Sequence, residues 1–278
     1  MRKSRFLKLL AVAGFWLGWV ASAQALDIGP WTCTGTCGTL GADGVVPLSP
    51  VAGGASYGWI STNGSTETGL APPSITAVTG ADATNGSTIV SPSFTASSGQ
   101  VLSFYFDYVT SDGSSSYGDF AWVRLLNAST GAEVAILFTA RTSPTGDTVP
   151  GYSMPPLPTG ATLIPASTPV FPGGPSWTPL GANSGQCFSD GCGYTGWVQA
   201  NYVIPAAGTY KLEFGVVNWD DMSYNSGLAF DGAMIGGTSI GLNQTGAPIP
   251  TLGQWAQMAL ALALLCLGLA GLRGNARR

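Results

Sequence analysis

The stretch Gln100-Val101-Leu102-Ser103-Phe104-Tyr105-Phe106-Asp107-Tyr108-Val109-Thr110 decides the fold class. Leu102, Phe104, Phe106 and Tyr108 fall on one face, and Ser103, Tyr105 and Asp107 on the other. A period of two belongs to a strand with one buried side, not to a helix. The same reading extends outward. Residues 120–126 set Phe120, Trp122 and Leu126 against Ala121, Val123 and Leu125. Residues 134–140, 197–204 and 209–217 continue the pattern, the last with Tyr210, Leu212, Phe214 and Val216 in step, and residues 227–235 supply a closing strand. Turn formers separate them, among them Asn127-Ala128-Ser129-Thr130-Gly131 and Ala206-Ala207-Gly208. Shorter strand candidates lie upstream at 57–61, 74–78 and 88–90 and read as the first strands of the same sheet pair. No stretch between the two termini shows a helical period. The expectation is an all-β domain over residues 26–248, an antiparallel β-sandwich of jelly-roll-like type.

Residues 142–186 interrupt this pattern with ten of the nineteen prolines and cannot form a central strand. They read as an excursion pinned to the sandwich by Tyr152, Phe171 and Trp177, because loops of this length are functional or tied down.

Composition narrows the chemistry. The chain has 278 residues, 45 % hydrophobic and only 9 % charged, with 40 glycines. That excludes a disordered polyampholyte and long solvated helices. There is no histidine. Ser-His-Asp and Cys-His catalysis, histidine-ligated zinc and imidazole pH sensing are therefore all removed. Gly54-Ala55-Ser56-Tyr57-Gly58 matches the G-x-S-x-G nucleophile pattern by chance, since its histidine base does not exist.

The two ends read as addresses. Arg2, Lys3, Arg5 and Lys8, the apolar run 9–20, and Ala23-Gln24-Ala25 form a secretory signal peptide over residues 1–25. At the other end, residues 255–272 are apolar except for Gln257. As a helix that run reaches ~27 Å, enough for a hydrocarbon core of ~30 Å. Arg273, Arg277 and Arg278 then hold the end in the cytoplasm, so the body faces out. Within that body only Arg124, Arg141 and Lys211 are basic against fourteen acidic residues, a net charge of −11 where the whole chain has −4. Nucleic acid as a partner is excluded, because phosphate binding needs several cations on one face. The balance fits divalent cations and neutral glycans, and equally fits charge kept for solubility.

Ile249-Pro250-Thr251-Leu252-Gly253-Gln254-Trp255, followed by the apolar run and the arginines, resembles the IPTL-CTERM sorting signal of Gram-negative bacteria. Ile249, Pro250, Thr251, Leu252 and Trp255 match its motif, while Gly253 and Gln254 stand where Ser and Glu are common. The resemblance covers residues 249–278. It implies handling by an exosortase-like membrane protease, anchoring in the inner membrane before processing, and display on the cell surface or release into the matrix. A plain C-terminal anchor is the competing reading. Residues 104–113 with 117–125, residues 191–197, and Asn218-Trp219-Asp220-Asp221 with residues 226–232 look like strands of exported β-sandwich domains found with PEP-CTERM-type signals. That likeness speaks to fold and exposure and brings no activity.

Four body cysteines stand in two close pairs, Cys33 with Cys37 and Cys187 with Cys192; Cys266 lies in the tail. In an exported chain an even count reads as disulfides. Local pairing is favoured over cross-pairing between the two ends of the body, with a four-cysteine zinc site as the remaining alternative.

Three uses of the remaining side chains are open. A glycosidase needs two carboxylates facing across a cleft, for which Asp107, Asp119, Glu133, Glu213, Asp220 and Asp221 are candidates. Calcium, which takes six to eight oxygen ligands from loops, is the better use of the acids. Asp107, Asp112 and Asp119 flank one turn, and Asp220, Asp221 and Asp231 flank the last strand, so they converge if the two strands are neighbours. Acids capping polar turns is the plain alternative. Finally, Trp177 and Trp219, in or beside loops, are candidates to stack on the rings of a polysaccharide. The reading is an exported surface or matrix protein without enzymatic activity, binding glycans with calcium support or acting as a structural component of the envelope.

Overall fold

The computed structural model describes residues 25–79, 83–142, 146–241 and 243–245. The leader and the sorting tail, with Ile249, Pro250, Thr251, Leu252 and Trp255, lie outside the described residues. Among the described residues no helix is long and apolar enough to cross a membrane.

Strands are numbered in chain order. One sheet runs β10 (Glu133–Arg141), β9 (Phe120–Asn127), β15 (Gly208–Trp219), β6 (Ala83–Val90) and β2 (Thr32–Thr34), with β5 (Glu67–Thr68) on β6 and β7 (Phe94–Ala96) on β15. The second runs β11 (Ala161–Ile164), β14 (Val198–Val203), β8 (Val101–Thr110), β16 (Ser226–Ile235), β4 (Tyr57–Ser61) and β3 (Thr36–Leu40). Onto it are added β13 (Gly193–Tyr194), β12 (Phe171–Pro172) and β17 (Thr238–Ser239). β1 (Ala25–Asp27) and β18 (Asn243–Thr245) form a separate ribbon. Every named strand pairing is antiparallel, and the two sheets pack as a sandwich. Of the upstream candidates, 57–61 and 88–90 join the two sheets as β4 and the end of β6. The two cysteine pairs are local disulfides, Cys33–Cys37 and Cys187–Cys192, which removes the four-cysteine zinc reading.

The core between the sheets is aromatic. Leu102, Phe104, Phe106 and Tyr108 all point into it and are completely buried. Phe106 stacks on Phe138 at 3.8 Å and Phe214 on Phe230 at 4.6 Å. Each such ring buried contributes about 1.5–3 kcal/mol.

The outer faces are covered as well. On the first sheet Phe120, Trp122 and Val217 pack under Ile75 and Met154, while Ala121, Val123 and Leu125 enter the central core. β9 is thus buried on both sides, which is why it reads as a nearly unbroken apolar run. Gly215 lies directly opposite Trp122, and a Cβ there would come within 2.1 Å of the indole. On the second sheet Tyr57, Val109 and Ala229 are roofed by Val46, Trp177 and Leu180.

One expected strand is a helix. Residues 74–78 belong to α1 (Pro73–Thr79). Pro73 starts it where a missing N–H costs nothing, and the N–H groups of Ile75 and Thr76 bond back to the Pro72 carbonyl at 2.9 and 3.0 Å. Ile75, fully buried on the first sheet, holds it there. Among its described residues the excursion contributes the short strands β11 and β12 and a 3-10 turn over Thr178–Asn183. Trp177 pins it, and Phe171, half exposed, pairs with Tyr194 of β13 and meets its ring at 5.2 Å; Tyr152 does not, being 54 % exposed.

Candidate functional site

β8 and β16 are neighbours, with Ser226 opposite Thr110, so the loop after β8 and the loop before β16 meet at one end of the sandwich. Asp119 is completely buried there: its Oδ1 accepts the Trp219 N–H at 3.0 Å and its Oδ2 the Ser226 hydroxyl at 2.5 Å. Asp112 is 1 % exposed; its Oδ1 accepts the backbone N–H and hydroxyl of Ser114 at 3.0 and 3.2 Å. Its Oδ2 is buried without a hydrogen-bond partner among the described residues. Burial, then the nearby Asp221 carboxylate, push Asp112 up to about 6. Burial first and Asp112 second hold Asp119 well above the usual carboxylate range. Arg141 is the local cation. Its Nε donates to the Gly118 carbonyl at 2.7 Å, and its guanidinium lies 4.8 Å from the centre of the Trp219 ring.

The other predicted acids are dispersed. Asp220 is exposed in a left-handed conformation at φ 64°. Asp107 lies on β8 opposite Ala229, where its Oδ1 accepts the Thr195 hydroxyl at 3.2 Å and its Oδ2 has no partner among the described residues. Complete burial pushes it up to about 8. Asp231 stands further along β16 opposite Tyr105, takes the Ser49 hydroxyl and the Gly232 N–H, and is also raised by burial. Among the described residues no three acidic or cysteine side chains form a group that could hold a metal ion. The six acids do not therefore converge. Alternation along a strand and the length of β16 separate Asp107 and Asp231 from the loop end.

Of the two candidate tryptophans, Trp177 falls differently than expected. Trp177 has no exposed surface; its ring lies against Gly227 and its indole N–H donates to the Tyr57 hydroxyl at 3.0 Å. It is a roof beam of the excursion, and its faces are closed to a sugar. Trp219 is half-buried between Phe120 and the Arg141 guanidinium. Glu213 is a structural acid: Arg124 donates to both of its oxygens at 2.6 and 3.0 Å, and Trp122 adds an indole N–H at 3.1 Å.

What sequence reading misses is an aromatic shelf beside the acids. Phe188 stacks on Tyr224 at 5.0 Å and meets Tyr117 edge-on at 6.2 Å. Tyr117 and Phe188 are 37 % and 39 % exposed. Phe188 is held by backbone bonds to Ser111 and Gly113 at 2.8 and 2.9 Å, with the Cys187–Cys192 disulfide beside it. The available signal was an aromatic residue set singly among Ser, Gly and Cys: Tyr117 after three serines, Phe188 next to Cys187.

No family model matches the chain, and no curated protein matches it. Among solved structures, a cleaved adhesin domain of Lys-gingipain from Porphyromonas gingivalis is similar over 77 % of this chain and 96 % of that one, with 11 % identity and a TM-score of 0.35. At that score it supports nothing about what this chain does.

Proposed function

We propose that this is an exported, non-enzymatic surface or matrix protein that binds neutral polysaccharide at the loop end of its sandwich. The observation that carries the reading is the shelf of Tyr117 and Phe188, exposed where a packed core has no use for them, with the half-buried Tyr224 stacked beneath Phe188. Flat aromatic faces take the C–H face of a sugar ring, and neighbouring polar loops supply its hydroxyls with partners. The two disulfides fit an oxidising, extracytoplasmic environment. We read the strand connectivity as jelly-roll-like, the leader as cleaved, and the tail as the substrate of an exosortase-like protease. We extend the reading to calcium as support for the shelf, on the buried Asp112 Oδ2 that has no hydrogen-bond partner among the described residues.

The test is a glycan array with the full chain in detergent, run in calcium and in EDTA, beside melting curves in the same buffers. The expected result is binding to neutral glycans that falls at least tenfold in Phe188→Ala and Tyr117→Ala. A melting temperature unchanged between calcium and EDTA removes the metal and leaves the shelf. A purely structural role in the envelope is the second reading, favoured by the covering of both outer faces by α1 and the excursion. Silence of the array in both buffers would decide for it.

A further inference from the structure

At the opposite end of the sandwich lies a cavity of about 610 Å³, between β7 of one sheet and β17 of the other. β8 starts beside it at Val101 and ends at the acids, so the two ends stand about 30 Å apart. Two tight turns shape its walls. Gly236-Gly237, both left-handed, close the hairpin from β16 to β17, with Ile235 opposite Thr238. On the facing wall Gly99 turns the chain from β7 toward β8 at φ 82°.

Among the described residues the lining carries no charged side chain. Thr95, Ser97 and Thr238 present hydroxyls, Gln100 an amide, and Phe94 and Ile235 an apolar floor. The Gln100 carboxamide is oriented, because its Oε1 accepts the Ser97 N–H at 2.7 Å. Phe94 is steadied by Tyr210 at 6.3 Å. Side chains that both donate and accept, around a small apolar floor, complement a ligand that is itself polyhydroxylated and uncharged. An ion would find no countercharge in the lining, and the body's excess of fourteen acidic residues over three basic ones repels anionic polymers. The volume lies within the ~300–1,000 Å³ usual for ligand sites.

We infer that this cavity is a second saccharide site, taking a neutral oligosaccharide segment. It shares with the proposed function the class of ligand and rests on that reading for it, but it stands on different residues. With two sites at opposite ends, one chain bridges two polysaccharide strands.

The test is calorimetric titration of the full chain in detergent with cellohexaose, maltohexaose and chitohexaose, comparing wild type with Thr95→Arg, Thr238→Arg and the shelf variant Phe188→Ala. Thr95 and Thr238 are exposed, and melting curves check that each variant is folded. The expected result is two equivalents bound by wild type, one by each variant, and none by Thr238→Arg combined with Phe188→Ala. One equivalent in wild type, lost in both arginine variants and kept in Phe188→Ala, upholds the cavity and overturns the shelf. One equivalent lost only in Phe188→Ala overturns the cavity and leaves the proposed function standing. No heat with any of the three sugars overturns the cavity as a site for them.

Discussion

Asp107 shows how far a single residue can depart from what its position in a pattern suggests. On an alternating strand it occupies the face opposite the core, where a carboxylate normally meets water. Here the excursion and the β13 segment close over that face, and hydrogen bonds from the Thr195 hydroxyl and from the Thr195 and Gly196 backbone only partly offset the burial of Asp107. Burial raises its folded-state value to about 8, against ~3.9 in an unfolded chain. The folded state therefore binds more protons than the unfolded state between those values, and stability declines as pH rises through that window. Asp112, raised to about 6, and Asp119 and Asp231, raised in the same direction, add to the slope. The melting temperature is expected to be higher at pH 5 than at pH 8.5. Asp107→Asn, which keeps the shape and removes the titration, is expected to flatten the upper part of that slope and raise the value at pH 8.5 by about 2–8 °C. A profile that rises from pH 5 to 8.5 would contradict the burial of these carboxylates as uncharged groups.

Among the elements, strands declared themselves and their surroundings did not. The runs around Phe104, Trp122 and Phe214 form strands close to where alternation puts them, because the period of two is written in the side chains themselves. α1 is not legible in the sequence, since a seven-residue helix spans barely two turns and carries almost no periodic signal. The acids and cysteines around the shelf were legible as types. Their distribution was not, because it depends on which loops meet. The segment from Cys187 to Cys192 ties the shelf down. Replacing both cysteines by serine is expected to cost about 2 kcal/mol in thermal unfolding, as the short loop predicts. Glycan binding is expected to weaken more than that loss of stability accounts for, since Phe188 loses its anchor. Equal binding by the double variant and wild type would detach the disulfide from the site.

For the whole molecule, the arrangement is one of opposed ends. The acids and aromatic shelf occupy one end, the hydroxyl-lined cavity the other, and the strands between them form a rigid spacer packed on both faces. Two weak sites on a rigid body produce strong attachment only when both engage. Wild type is therefore expected to cross-link a neutral polysaccharide, seen as turbidity or a rise in light scattering, while Thr238→Arg and Phe188→Ala each bind without cross-linking. Scattering that persists in both variants would point to self-association of the chain instead.

The sequence by itself determined the all-β class, the main strands, the exclusion of histidine chemistry and the acidity of the body, while the choice between local and cross-paired cysteines waited for the structure. These properties are local or compositional, so a linear reading reaches them. Only the tertiary structure decided that Trp177 is a buried roof beam, that six aspartates divide among separate places, and that Tyr117, Phe188 and Tyr224 form one surface. Each of those outcomes depends on residues far apart in the chain arriving at the same place. Nothing in the neighbourhood of Trp177 states that Tyr57 and Gly227 will enclose it, and burial, which sets both the accessibility of a ring and the charge of a carboxylate, is settled only when they do.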